Sequence, residues 1–244
     1  MAGKRLNASS SLFGIPKTEA VTDELPPPSP IDRGTPGKSA QREYERLAAK
    51  REAETMRRHP RIGEFIVAMT DEPQSTKAWA KGARGERRVG VRLEQAVGKH
   101  GVVLHDRHIP GRTSNIDHIV VGPAGVIVVD AKAYDGKVER RMVGPLFHRQ
   151  PRLYVAGRDR TNLTDGVFAQ SKMIYEHLRR EAPVMGALCL SGADWPTGTS
   201  PFVVHSVWVG WARALGKVAR KSRTLRDDEI GDIAADLALY FPAR

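Results

Sequence analysis

The stretch Asn115-Ile-Asp-His-Ile-Val-Val-Gly-Pro-Ala-Gly-Val-Ile-Val-Val-Asp-Ala-Lys132 decides the fold. Two apolar runs, Ile116–Val121 and Val126–Asp130, flank Gly122-Pro-Ala-Gly125. Both are of strand length and rich in β-branched residues, so they read as two strands joined by a turn. A loop over 122–125 sets Val121 opposite Val126, and counting outward sets Asp117 opposite Asp130. Directly opposed side chains have Cβ atoms roughly 4.5–5.5 Å apart, so the two carboxylates repel each other. A divalent cation between them turns that repulsion into chelation. Lys132 lies two residues beyond Asp130 and therefore points to the same face. A slip of one residue would put the two aspartates on opposite faces and remove the chelate.

The chemistry this set suits is phosphodiester hydrolysis. Mg²⁺ or Mn²⁺ takes oxygen ligands, commonly one or two carboxylates with waters and a substrate phosphate. It polarises a phosphate oxygen and lowers the pKa of a bound water. Lys132 orients that water or neutralises charge developing on the phosphate. A plainer reading stands beside it: Asp117 belongs to a turn after Asn115, and Asp130-Ala-Lys132 is a strand end with a surface ion pair worth little. The apolar flanks weigh against it, because a buried strand seldom ends in Asp and Lys without a reason.

Working outward, Gly82–Val97 has the period of a helix, with Val89, Leu93, Ala96 and Val97 on one side. Val102–His105 is a short strand, and Lys137–Arg140 adds a possible further one. Thr164 is the expected N-cap of a helix running to about residue 180, with Val167, Ser171, Ile174 and Leu178 in register. Val184–Leu190 and Phe202–Val209 are strands, Trp211–Arg220 a short basic helix and Leu225–Phe241 a last helix. This order predicts an α/β domain with a mixed central sheet flanked by helices on both faces.

Two polar residues border the site in this scheme. Glu86 shares a helical face with Val89, Gly90, Leu93 and Val97 and is a candidate further acid; stabilisation by the macrodipole of a first helical turn explains it equally well. Gln170, four residues before Ile174, reaches the site or is an ordinary boundary residue. Arg140, Arg141, Arg158 and Arg160 crowd the segment after the hairpin, as a groove that tracks phosphates or as a solvated rim. His105, His108 and His118 have no zinc-type spacing and read as hydrogen-bonded structural residues, and the Trp residues as core or interface.

The chain divides into a tail at 1–38 with a proline-rich stretch at 24–30, a charged helical extension at 39–76, a main domain at 77–222 and a C-terminal helix at 223–244 that packs on it. The tail is expected to be disordered, and the extension is a possible contact for a protein partner. The net charge of +11 points to a polyanionic partner, nucleic acid first, although ribosome-like or membrane-surface roles fit the charge as well. No apolar run approaches the ~20 residues of a membrane span. Cys189 is the only cysteine, which excludes an intramolecular disulfide and a Cys-rich metal site. With no secretory signal visible, it suits a reducing cytoplasm.

Several motifs occur together in order: Gly82-Ala-Arg-Gly-Glu86, Val103-Leu-His-Asp-Arg107 with Ile109 and Pro110, the 115–132 stretch itself, Tyr134 and Gly136, Gly157-Arg-Asp-Arg160 with Leu163, then Gln170 and Ala193-Asp-Trp-Pro196. In these the chain resembles the NERD (nuclease-related domain) proteins of the PD-(D/E)xK, restriction-endonuclease-like superfamily, over roughly residues 80 to 215. The resemblance implies a restriction-endonuclease-like core. It implies Asp117 as the first acid of the motif, Asp130 as the second and Lys132 as the lysine. Glu86 matches the acid of the leading helix and Gln170 a polar position in the later helix. The implied metal ligands are Asp117, Asp130 and Glu86. Ile116 stands where a proline would precede the first acid. The expected activity is metal-dependent cleavage of nucleic acid, DNA first; the alternative is a nuclease fold kept for binding nucleic acid or a protein, with hydrolysis weak or absent.

Overall fold

In the computed structural model, which describes residues 30–70, 73–145, 147–179 and 181–244, the hairpin lies inside a mixed six-stranded sheet. The expected tail at 1–38 lies, for residues 1–29, outside the described residues. Residues 31–244 form one compact unit. Three helices lead, α1 (Lys38–Arg58), α2 (Gly63–Met69) and α3 (Gln74–Val97). Strands β1 (Val102–His108), β2 (Asn115–Gly122) and β3 (Gly125–Ala133) follow, then β4 (Val138–Val143), β5 (Gln150–Val155) and β6 (Arg158–Asp159). The chain closes with α4 (Leu163–His177), β7 (Val184–Ser191), β8 (Phe202–Val204), β9 (Val207–Gly210), α5 (Ala212–Lys221) and α6 (Asp227–Tyr240).

The large sheet has the order β1-β2-β3-β7-β9-β8. β1, β2 and β3 are antiparallel neighbours, whereas β3, β7 and β9 run parallel. Alternation sends Ile119, Val121, Val126 and Val128 to a core shared with α4 and α6. Val120, Ile127, Val129 and Ala131 go to the other face, against α3 and α5. Each fully buried Ile, Val or Leu contributes about 1.5–3 kcal/mol relative to an exposed one, so the two cores hold the central strands from both faces. β4, β5 and β6 make a separate antiparallel sheet.

Some boundaries differ from the sequence reading. α3 begins at Gln74, eight residues earlier than the expected Gly82, and its buried face already includes Thr76. Thr164 is not a cap: α4 starts at Leu163, and the Thr164 hydroxyl donates to the Thr161 carbonyl at 2.7 Å. The run expected as one strand at 202–209 is a hairpin, turned by His205 and Ser206 at φ 47° and 64°.

Residues 31–37 are fastened to the sheet rather than free. The His105 N–H donates to the Arg33 carbonyl at 2.7 Å. Arg107, fully buried, donates to the carbonyls of Asp32 (2.9 Å), Ala238 (2.8 Å) and Phe241 (2.6 Å). One guanidinium thus ties the segment before α1 and the end of α6 to the same strand.

Candidate active site

β2 and β3 pair from Gly122↔Gly125 to His118↔Val129 and then part. Extending that register places Asp117 opposite Asp130, but Asp117 takes no place in the ladder with β3, nor in the one with β1, where His105↔His118 is followed by Arg107↔Ile116. Asp106, its neighbour in β1, has φ 50°, a conformation uncommon for a residue with a side chain. The Asp117 carboxylate fills the gap instead. Its Oδ2 accepts a hydrogen bond from the Ala131 N–H at 2.8 Å, taking the part of the missing backbone partner. β3 continues beyond the gap because β7 supports it, with Asp130↔Leu188 and Lys132↔Leu190 in register.

The remaining charges gather around this gap. Lys132 Nζ donates to Asp130 Oδ1 at 2.6 Å. Burial alone would lower the Lys132 pKa, but Asp130 and Asp117 outweigh it and the ammonium is held above its ordinary range. Burial pushes the Asp117 carboxyl well up, and Asp130 and Glu86 add to it. Glu86 is buried on α3, which lies on the opposite face of the sheet from Asp130 and Lys132. Burial and then Asp106 raise its pKa from 4.5 to about 7, against the opposing pull of a hydrogen bond from Gly37. α3 comes this close to β3 because residue 85 is glycine: a Cβ there would stand 2.7 Å from the Ala133 Cβ.

The start of α1 is docked on the same acids. The Gly37 N–H donates to Glu86 Oε1 at 2.9 Å, and the Ser39 N–H and hydroxyl donate to the two oxygens of Asp106 at 2.6 and 2.7 Å. Two buried carboxylates therefore meet the free N–H groups and positive dipole end of one helix. Gly37 itself has φ 74°, and a Cβ there would approach the Ala83 carbonyl to 2.7 Å. Asp106 also accepts from Asn115 Nδ2 at 2.7 Å, while the Asn115 carbonyl accepts from Gln170 Nε2 at 3.2 Å. Gln170 thus braces the first residue of β2 from α4.

Residues 81–191 match the family model described as the nuclease-related domain. The chain carries a NERD domain, of the restriction-endonuclease-like superfamily. No curated protein and no solved structure showed a significant match. Asp117, Asp130, Lys132, Glu86 and Gln170 all fall within the NERD domain, whereas α1, α2 and the first turns of α3 lie outside it.

The carboxylates suit a hard cation in part. Asp117 and Asp130 repel each other across the gap, and each has an oxygen, Oδ1 and Oδ2 respectively, that accepts no hydrogen bond from the described residues. Oxygen donors of this kind are what Mg²⁺ and Mn²⁺ select. Glu86 comes from the other face with one oxygen already on Gly37. Among the described residues no three His, Cys, Asp or Glu side chains are gathered so as to hold a metal ion, so Asp117, Asp130 and Glu86 are electrostatic neighbours rather than an assembled ligand set.

The four arginines expected around the site are dispersed. Arg140, Arg141 and Arg158 lie on the small sheet, where Arg141 stacks on the Tyr154 ring at 4.2 Å and bonds Glu139. Arg160 sits over the Tyr134 ring at 5.2 Å, beside the continuation of β3, with its Nε buried and unpartnered. His105 and His118 are buried and bonded to each other at 2.9 Å on the α3 face, a structural pair. Sequence reading gave Asp106 no role. Its signal was an Asp-Arg pair at the end of an apolar strand, where buried charges require partners.

Proposed function

We propose that this chain is a divalent-metal-dependent nuclease that hydrolyses phosphodiester bonds of DNA. The observation that carries the reading is the pair Asp117 and Asp130 at the point where β2 and β3 separate, with Lys132 bonded to Asp130. Asp117 and Asp130 would hold Mg²⁺ or Mn²⁺ through their free oxygens. The ion would supply Lewis acidity and charge neutralisation at a phosphate. Lys132, an ammonium kept charged by its neighbours, faces charge developing on non-bridging phosphate oxygens. The Ala131 N–H fixes the Asp117 carboxylate, and Gln170 fixes the strand that carries it, so the acids are positioned before substrate arrives. The basic charge of the chain supports a nucleic-acid partner, and a single, buried, unpaired Cys189 suits a cytoplasmic setting. Among the described residues no helix is long and apolar enough to cross a membrane.

One observation favours a second reading. The candidate ligands are already engaged, Glu86 by Gly37 and Asp130 by Lys132, as they would be in a nuclease fold kept for binding alone. Cleavage of supercoiled plasmid, linear duplex and single-stranded DNA with Mg²⁺ and with Mn²⁺ separates the two. Cutting by the wild type that Asp130→Ala and Lys132→Ala lose supports the nuclease. Salt-dependent DNA binding without cutting, indifferent to Asp130→Ala, supports the binding module.

A further inference from the structure

A cleft of about 580 Å³ opens on the α1 side of the gap, with Asp117 and Glu86 among the residues that line it. Its other walls come largely from outside the NERD domain. Arg42 and Arg46, one turn apart, face it from α1; Trp79 faces it from α3; Arg244 lies at its rim. Arg244 is held there by donating to the Thr113 carbonyl at 3.0 Å and to Asn115 Oδ1 at 3.1 Å. Trp79 is 43% exposed, so part of its indole is open to solvent in a cleft that Glu86 and Asp117 also line. Glu43 also lines the cleft, but the Arg46 guanidinium takes both its oxygens at 2.6 and 2.8 Å. Arg42 has no carboxylate partner among the described residues.

The combination selects a ligand. An indole open to solvent offers a ring for a planar group to stack on, and a guanidinium without a carboxylate partner in the same cleft offers a fork to a phosphate. A base inside a duplex is stacked on both sides and has no face to give, whereas an unpaired base has. The volume is that of a small-ligand site, roughly 300–1,000 Å³, and admits one or two nucleotide units rather than a helix. We infer that this cleft binds one or two unpaired nucleotides of a single-stranded nucleic acid, Trp79 stacking on a base and Arg42 holding a phosphate. The inference builds on the nuclease reading, since Asp117 is one of the residues that line the cleft. It makes the extension before the NERD domain the part that recognises the form of the substrate.

The test is binding without chemistry. The full chain, in EDTA so that nothing is cut, is titrated into a short fluorescein-labelled oligothymidylate and into a blunt duplex of equal length, read by anisotropy. Wild type should prefer the single strand. Trp79→Ala should weaken that binding about 5- to 100-fold, the value of one stacked base, with little effect on the duplex. Trp79→Phe should restore most of it. Arg42→Ala should lower the slope of log affinity against log salt by about 0.7, one phosphate contact on a single strand. Arg42→Glu, at an exposed helix position, carries the test should the Trp79 variant unfold, and should weaken single-strand binding at least tenfold. Single-strand binding untouched by Trp79→Ala and by both Arg42 variants would overturn the inference, as would an equal loss for single strand and duplex. Because no cleavage is read, the two proposals fail separately. Trp79-dependent binding by a chain that never cuts DNA sinks the nuclease and keeps the subsite, and cutting with Trp79-independent binding does the reverse.

Discussion

The two ends of the β2–β3 hairpin share one sequence pattern and part company in structure. At the turn, Val121↔Val126 and Gly122↔Gly125 close a complete ladder between two apolar cores. At the open end the ladder stops after His118↔Val129, and a carboxylate replaces a backbone partner. A saturated ladder leaves no polar group for a ligand. An interrupted one, held open by β7 on one side and by α1, α3 and α4 around it, leaves oxygens to spare. Chemistry is available where pairing ends.

The contrast can be broken at either end. The largest effect belongs to the open end: Asp130→Ala should lower the cleavage rate about 10³-fold or more with little change in thermal unfolding. A variant that cuts normally, or one that fails to fold, would remove the distinction. Next is the turn end, where Val121 is fully buried. Val121→Ala should cost about 1.5–3 kcal/mol in urea denaturation while cleavage per folded molecule stays unchanged. A loss of rate beyond the loss of folded protein would mean the two ends are coupled.

Glu86 sharpens the comparison through pH. Its folded pKa of about 7 lies above the ordinary 4.5, so the folded state holds the proton more tightly than the unfolded state does. This stabilisation is present below pH 4.5 and is lost as pH rises to 7. Without divalent ions, Glu86→Gln should therefore gain stability relative to wild type across that window, on the order of 3 kcal/mol in the difference. Parallel melting curves from pH 5 to pH 8 check it; a gap that stays constant or narrows would refute the assignment. The smallest effect is expected on the small sheet. Arg141→Ala should lower the salt slope of duplex binding by no more than about 0.9, one phosphate contact, without changing the rate at saturating DNA.

Much of this was legible because the hairpin is strongly patterned. The turn at Gly122–Gly125 sets Val121 against Val126, so the Asp117–Asp130 opposition came from counting outward along two apolar strands. What counting could not give was that opposition would end the ladder. Nor could it show that Glu86 approaches from the far face, since that depends on how α3 crosses β3 at Gly85. β5 was hidden by Pro151 and Arg152, and the turn at His205 and Ser206 by the absence of glycine or asparagine. The docking of α1 rests largely on backbone N–H groups at Gly37 and Ser39, which no residue type announces, with the Ser39 hydroxyl adding one bond. Trp79 read as a core or interface residue rather than a base-stacking platform; in the fold it is exposed on the wall of the cleft.

Arg107 bears on inheritance. A segment cut at the borders of the family match, 81 and 191, would keep this arginine and discard Asp32, Ala238 and Phe241, the three carbonyl bearers it serves. The same cut removes α6 from the core it shares with β1 and β2, and baring those fully buried side chains costs several kcal/mol, a large share of what a domain has in reserve. The flanks and the domain are therefore one heritable unit: recombination that moved the middle alone would deliver a broken fold, and any activity resting on that fold would travel only with both ends attached.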